Sequence, residues 1–286
     1  MHNGALRKWS LALTLWLALH CSSLRAQLIA PLGTSPTTFG IDSSGLLTST
    51  GALSSGSLTL TGTGSRMIWY PGKAAFRAGL IWNVQGGFGP AQPHFWDDVH
   101  IGQGSAAFGT NTSASGTGSA AFGLLTTAAG DGSTASGYCT GVFGPDSTAT
   151  GWFSLCLGWC STASGYYASA TGNSSLSFGG YTNANGMYSQ SFGNYTTADG
   201  YTSTVFGNNT SAHAYNSFVI GQYNVGGGNP NSWVSTDPLF EIGNGTVSQH
   251  DALLVDKSGN VTAGGVMRCA PGGDLSMGSF TAGTHP

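Results

Sequence analysis

The chain has 286 residues, with 8 Lys and Arg against 11 Asp and Glu, a formal net charge of −3, and 47 glycines. Only 7% of residues are charged, which argues against a binder of nucleic acid, whose phosphates need cations to neutralise them. No Gly-x-Ser-x-Gly elbow, Walker-type Gly-Lys-Ser/Thr or His-Glu-x-x-His run is present, so the sequence points away from an enzyme and implies no cofactor.

Residues 1–26 read as a signal peptide. Arg7 and Lys8 supply the positive start, residues 11–19 the apolar core, and Ser23-Leu24-Arg25-Ala26 a cleavage site before Gln27. The apolar core is too short for a spanning helix, which needs roughly 20 residues, and no membrane span is expected in the mature chain. Cys21 follows His20, a poor residue before a lipidated cysteine. Residues 27–64 form a Ser/Thr/Gly-rich leader of short strands and turns.

Between residues 65 and 101 the composition shifts to Trp69, Tyr70, Phe76, Trp82, Phe88, Phe95 and Trp96, with Arg66, Lys73, Arg77, Asp97 and Asp98. A solenoid needs its open first coil covered, and this stretch is expected to be an N-terminal aromatic cap, with an aromatic sugar platform as the lesser reading. His94, Asp97, Asp98 and His100 match no metal-ligand spacing, and no metal is expected.

The head of the chain lies at residues 102–222. From Gly102 to Gly221 a glycine returns every seventh residue, with Ala214 standing at the one interrupted position. Two residues before each tooth comes a small or β-branched residue, as at Ala107, Ala121, Val142, Cys156 and Val219. Three residues after each tooth comes Ser or Thr, with Ala168 the exception. A coiled-coil heptad is excluded, because glycine costs about 1 kcal/mol in a helix interior and the repeat holds no Lys, Arg or Glu. The pattern predicts short strands joined by glycine turns, with the third and fifth residues after each glycine facing a narrow interior.

The sixth residue after each glycine alternates. It is apolar at Phe108, Phe122, Phe143, Leu157, Phe178, Phe192, Phe206 and Ile220, and polar at Ser115, Ser136, Thr150, Ser164, Thr171, Asn185, Asp199 and His213. The true repeat is therefore 14 residues, two strands per coil, as the alternation of Phe108 and Ser115 shows. The apolar residues are expected to form one outward stripe, buried against another copy of the chain. Phe122 to Phe143 and Leu157 to Phe178 break the phase, and loops carrying an extra half-turn are expected near residues 129–137 and 164–172.

The units Asn216-Ser217-Phe218-Val219-Ile220-Gly221, Gly104-Ser105-Ala106-Ala107-Phe108-Gly109 and Gly118-Ser119-Ala120-Ala121-Phe122-Gly123 resemble the repeat of YadA-like head domains of trimeric autotransporter adhesins. The resemblance implies an all-β, left-handed parallel β-roll of 14-residue coils, packed as a homotrimer and acting in adhesion at a bacterial surface. The trimer interface is then the Phe108–Phe122–Phe143–Leu157–Phe178–Phe192–Phe206–Ile220 stripe.

Cys139, Cys156, Cys160 and Cys269 are expected to be free thiols, with interchain bridging the lesser option. Coils stack 14 residues apart, which sets Cys139 beside Phe153 and not beside another cysteine. After the breaker Gly226-Gly227-Gly228-Asn229-Pro230, residues 223–265 read as a closing segment similar to those of tail-fibre-like proteins, and residues 266–286 as a loosely ordered tail. No coiled-coil stalk or barrel-strand set follows the head, which leaves the anchoring of such an adhesin unexplained.

The leading functional expectation is a secreted or surface-held adhesin-like head that contacts matrix, cells or polysaccharide. Two alternatives come from other classes. An ice-binding face would use Thr134, Thr148, Thr162, Thr197 and Thr204. A carbohydrate-cleaving β-helix would need converging acids, and the repeat offers only Asp131, Asp146 and Asp199.

Overall fold

The computed structural model describes residues 38–41, 47–50, 53, 58, 62–82 and 95–265. The signal segment, much of the leader, Phe88, His94, Cys269 and the tail expected at 266–286 lie outside the described residues. Thr38–Ile41 and Leu47–Thr50 form an antiparallel pair. Gly64–Tyr70 and Ala75–Ile81 form a second, joined through the 3-10 turn Pro71–Lys73. Ala75–Ile81 then pairs in parallel with Ala106–Thr110, the first strand of the roll.

From there the chain winds as an all-β parallel solenoid of about 8 coils of about 14 residues. Each early coil has a five-residue strand, such as Ala106–Thr110 or Ala120–Leu124, and a two-residue strand, such as Ser113–Ala114 or Thr127–Ala128. Strands pair with their own equivalents one coil on: Ala107 with Ala121, Ala121 with Ala135, Ala149 with Ala163 and Val205 with Val219. In the later coils the two strands merge, giving Gln190–Ala198 and Thr204–Ala212. Phe218–Gln222 hands on in parallel to Pro238–Asn244, after which Asp251–Asp256 and Val261–Ala263 finish the sheet antiparallel.

The interior is what the third and fifth residues after each glycine predict. Ala107, Ala121, Ala135, Val142, Cys156 and Ala163 are fully buried, and the Ser/Thr column from Ser105 to Ser217 is buried beside them. A buried methylene gives only about 0.8 kcal/mol, so a core of methyl groups leans on the ladder of backbone hydrogen bonds around it. The serines join that ladder. Ser119 Oγ donates to the Gly116 carbonyl at 2.7 Å and Ser175 Oγ to the Gly172 carbonyl at 2.6 Å. Ser177 and Ser191 likewise pair with Thr182 and Thr196 at 2.7 Å. Where that inward serine is replaced by Ala or Val, the threonine hydroxyls of Thr112, Thr126, Thr140 and Thr210 are left without a partner.

The glycine comb has a steric cause. A methyl at Gly116 would lie 2.1 Å from the Gly130 carbonyl oxygen, and one at Gly186 would lie 2.1 Å from that of Gly200. Alternate teeth carry a second constraint: Gly151 has φ +111°, and a methyl there would meet the Gly165 carbonyl oxygen at 2.1 Å. Coil therefore rests on coil at backbone contact. Ala214 stands where the comb meets the breaker after the last coil: the residue 14 on is Gly228, and a methyl there would lie 2.7 Å from the Ala214 methyl.

Two charged residues occupy the inward column at opposite ends. Arg77 sits opposite Ala107 and is fully buried, with its guanidinium donating to the Ser105 carbonyl at 3.0 Å, to Ser105 Oγ at 2.7 Å and to the Ala114 carbonyl at 2.9 Å. Burial lowers its pKa to about 10, which keeps it cationic at neutral pH. Glu241 sits opposite Val219 and is buried against Asn224 Nδ2 and the Gly226 N–H. Burial pushes its carboxyl up, against the pull of the Asn224 and Gly226 hydrogen bonds. Beyond Arg77, Trp96 is buried with Ile68, Tyr70, Ala75, Ile81 and Ile101, and its Nε1 donates to the Thr112 carbonyl at 2.8 Å.

The expected extra half-turns are absent. Ala121 pairs with Ala135 and Phe122 with Ser136, and Ala163 pairs with Ser177 and Ser164 with Phe178, so the register runs through both predicted loop sites without an insertion. An added half-turn would have broken the glycine-to-carbonyl contact that every coil needs. What changes at those points is the face that carries the large apolar residue.

The Gly151→Ala variant is expected to lose about 3 kcal/mol or more, from a strained φ plus a backbone clash, whereas Ala214→Gly shifts stability by under about 1 kcal/mol. Thermal denaturation of both checks the pair, and equal effects would contradict the steric account. A carboxyl whose folded pKa is raised holds its proton more tightly when folded, so stability falls as pH rises from the unfolded value of about 4.3 through the folded one. The gain from Glu241→Gln is therefore expected to be larger at pH 7 than at pH 4 in parallel denaturant titrations.

Candidate functional surface

With the interior filled by methyls and hydroxyls, function falls to the outward columns. In the long strands the outward positions include Ala106 and Phe108; in the short strands they flank the buried Ala114. Phe108 and Phe122 stack with ring centroids 5.5 Å apart, Phe178 and Phe192 at 5.5 Å, and Phe192 and Phe206 at 4.6 Å, all within 5° of parallel. Ile220 follows Phe206 in register. Between the two groups this column is hydroxylic, at Ser136, Thr150 and Ser164, and Thr150 Oγ1 donates to Ser164 Oγ at 2.8 Å.

Phe143 and Leu157 are not in that column. They follow the short strands Gly141–Val142 and Leu155–Cys156, on the other side of the coil, where Phe143 and Leu155 close over Gly141. The single stripe expected from the sequence is thus two patches on two faces. The short-strand column continues as a polar ladder. Thr171 Oγ1 donates to Asn185 Oδ1 at 2.9 Å, Asn185 Nδ2 to Asp199 Oδ1 at 2.7 Å, and Asp199 Oδ2 meets His213 Nδ1 at 3.0 Å.

An aromatic array that the sequence reading passed over lies at the corner after the long strands. Phe153 stacks on Tyr167 at 4.9 Å, Tyr167 on Tyr181 at 5.2 Å and Tyr181 on Tyr195 at 4.6 Å, all within 5° of parallel. Tyr138, Trp152 and Tyr166 form a second, tilted file beside them. The corner holds its residues in the left-handed region, with φ 55° at Phe153 and Tyr167, 53° at Tyr181 and 52° at Tyr195. Bulky side chains rarely adopt that conformation, and here the stacked register of the coils imposes it. The hydrogen bond with Tyr166 pushes the Tyr181 hydroxyl up to about 12. The signal was present in the sequence as aromatics spaced by 14, two residues after the comb glycines, at Phe153, Tyr167, Tyr181 and Tyr195.

The other sequence candidates are scattered. Asp131 accepts the Thr117 N–H at 2.7 Å and Asp199 belongs to the polar ladder. Thr134, Thr148 and Thr162 adjoin in register, but Leu176 and Gln190 separate them from Thr204, and Thr197 pairs with Asn183 on the short-strand side. Asp98 lies 3.6 Å from Lys73 Nζ, and among the described residues no three His, Cys, Asp or Glu side chains gather as a metal site. Cys139, Cys156 and Cys160 are free thiols. Cys156 is buried in the alanine column, donates to the Thr148 carbonyl at 3.0 Å, and is pushed up to about 11 by burial.

A parallel roll of 14-residue coils with a backbone-contact glycine comb defines a solenoid head of the repeat class. The family model described as the YadA head domain repeat (2 copies) matches residues 101–126, 114–140, 126–154, 161–182 and 198–224, and residues 101–224 form a YadA-like head domain. That family is one of structural adhesins, not of enzymes. No curated protein matches the chain.

A thiolate is needed for alkylation. At pH 8 iodoacetamide is therefore expected to modify the exposed Cys160 and to spare Cys156 until the chain unfolds, as peptide mass spectrometry would show. Labelling of Cys156 in the folded chain would contradict the burial assigned to it.

Proposed function

We propose that this chain is the exported, bacterial, homotrimeric head of an adhesin-like surface or secreted protein, a non-catalytic rod that presents its outward columns to matrix, cells or polysaccharide. The observation that carries the reading is a solenoid of the YadA head type with a column of stacked, solvent-facing phenylalanines. YadA head domains form trimers, and Phe108, Phe122, Phe178, Phe192, Phe206 and Ile220 line one face of this one. Phe178 is 36% and Phe206 41% exposed in the single chain, and two apolar runs on one face, Phe108–Phe122 and Phe178–Ile220, call for a partner surface. A second and third copy around a closed rotation axis supply it without leaving an open, fibre-forming end.

Phe143 and Leu157, on the other face, stand outside this interface. Coils about 4.8 Å apart give a rod of roughly 40 Å. The hairpin Gly64–Tyr70 with Ala75–Ile81, together with Trp96 and Arg77, covers the first coil and acts as its cap. No helix of the described residues is long and apolar enough to cross a membrane.

Two aspartate substitutions separate the faces. Phe192→Asp places three charges around the axis and is expected to convert the trimer to monomers and to lower adhesion of coated beads to matrix proteins, cells or glycans at least tenfold. Phe143→Asp is expected to leave the assembly intact. Dissociation by Phe143→Asp alone would move the interface to the short-strand face, and adhesion to none of these surfaces by the wild-type chain would overturn the adhesin reading.

A further inference from the structure

The corner stack has a missing rung. The column runs Phe153, Tyr167, Tyr181, Tyr195 and then Asn209, before an aromatic returns at Tyr223. Tyr223 belongs to the same column: Gln222 is in register with Asn208, and the Tyr223 N–H donates to the Asn208 carbonyl at 3.2 Å. Asn209 folds back along the sheet, its Nδ2 donating to Asn208 Oδ1 at 3.1 Å. With coils about 4.8 Å apart, the Tyr195 and Tyr223 rungs stand roughly 10 Å from each other. That leaves the thickness of one ring between them, at about the spacing the stack itself uses.

An open cleft of about 270 Å³ lies there, lined by Tyr195, Thr197, Asn209, Ser211, Tyr223 and Gln249 together with Thr210 and Asn224. No charged side chain lines it. The Thr210 hydroxyl is buried in the inward column with those of Thr112, Thr126 and Thr140, so the polar side chains that face the cleft are those of Thr197, Asn209, Ser211 and Gln249.

We propose that this cleft is a binding site for one neutral pyranose ring of a glycan, held edge-in between Tyr195 and Tyr223. A pyranose presents two C–H faces, which suit aromatic walls, and a rim of hydroxyls that exchange hydrogen bonds with amides and hydroxyls. A flat hydrocarbon ring would fit between the walls but offer no hydrogen bond to Thr197, Asn209, Ser211 or Gln249, which costs free energy when water is displaced. The absence of a charged lining disfavours an acidic sugar or a phosphate. At about 270 Å³ the cleft is smaller than the usual ligand pocket, so it takes one ring and gains strength by repetition in a multivalent head. The proposal deepens the adhesin reading by naming a ligand class for one place on the rod, and it does not depend on which face forms the trimer.

Saturation-transfer NMR on the full chain with the methyl glycosides of glucose, galactose and N-acetylglucosamine, and with indole as a planar control, tests it. At least one glycoside is expected to receive saturation from tyrosine protons. Asn209→Tyr fills the missing rung with a residue that Tyr167, Tyr181 and Tyr195 already carry at equivalent φ. It is expected to keep or raise the melting temperature and to weaken glycoside binding at least tenfold, while Tyr223→Ala weakens it by opening one wall. Undiminished binding by a folded Asn209→Tyr chain would overturn the site. Binding of indole with none of the glycosides would overturn the ligand class and with it the proposal. Since Asn209→Tyr leaves the Phe192 column untouched, trimer mass and adhesion to protein surfaces are expected to persist in it, and their loss in the wild-type chain would count against the head reading instead.

Discussion

Backbone contact between successive coils is the constraint on which everything else in this structure depends. Gly116, Gly130, Gly137 and Gly151 each hold a position where a single methyl would strike a carbonyl oxygen of the next coil at about 2 Å. Removing every side chain from those two corners lets the strands hydrogen-bond in parallel for the length of the roll. The lumen then shrinks to the width of an alanine facing a serine, so Ala107, Ala121, Ala135 and Ala149 are a consequence of the glycines as much as a core in their own right. Because each coil touches only its neighbours, its stability is close to a sum of nearest-neighbour contacts, and the ends need special treatment. Arg77 and Glu241 give it, ending the inward column with hydrogen-bonding groups: Arg77 adds donors to the Ser105 and Ala114 carbonyls, and Glu241 accepts the Gly226 N–H.

Strict register also turns single residues into columns. A phenylalanine placed outward in one coil lies about one strand spacing from the residue placed outward in the next, so chemistry accumulates along the rod. The same rule produces the phenylalanine file at Phe178, Phe192 and Phe206, the polar file at Thr171, Asn185, Asp199 and His213, and the tyrosine file at the corner. A column is informative where it is interrupted. Ala214 marks the point where the next coil gives way to the Gly226–Gly228 breaker, and Asn209 marks a gap between rings.

The sequence made the coil length, the parallel pairing and the inward residues legible, because the glycine comb and the Ser/Ala pattern are direct imprints of steric exclusion. Face assignment was less legible. Gly102 and Gly109 look alike in a seven-residue frame, yet one precedes a long strand and the other a short one. Phe122 and Phe143 are three half-coils apart, which moves the ring to the opposite side without disturbing the register. Reading that shift as an inserted loop kept the stripe continuous at the expense of the stacking. The corner aromatics are hard to read from sequence because they stand two residues after the comb glycines, in positions ordinarily left to turns, and a turn favouring positive φ is a poor place to expect tyrosine. Arg77 reads in the sequence as one of the few charges of the aromatic cap, and only its register with Ala107 reveals a buried plug.

The most direct test of the account is the mass of the full chain in solution, by light scattering or native mass spectrometry. The account predicts a species at three times the 29.0 kDa chain mass, stable to dilution because a stacked phenylalanine column is buried at its axis. A folded monomer at 29.0 kDa would contradict it. The phenylalanine face would then be open to solvent in the working protein, and the trimeric head would have to be abandoned.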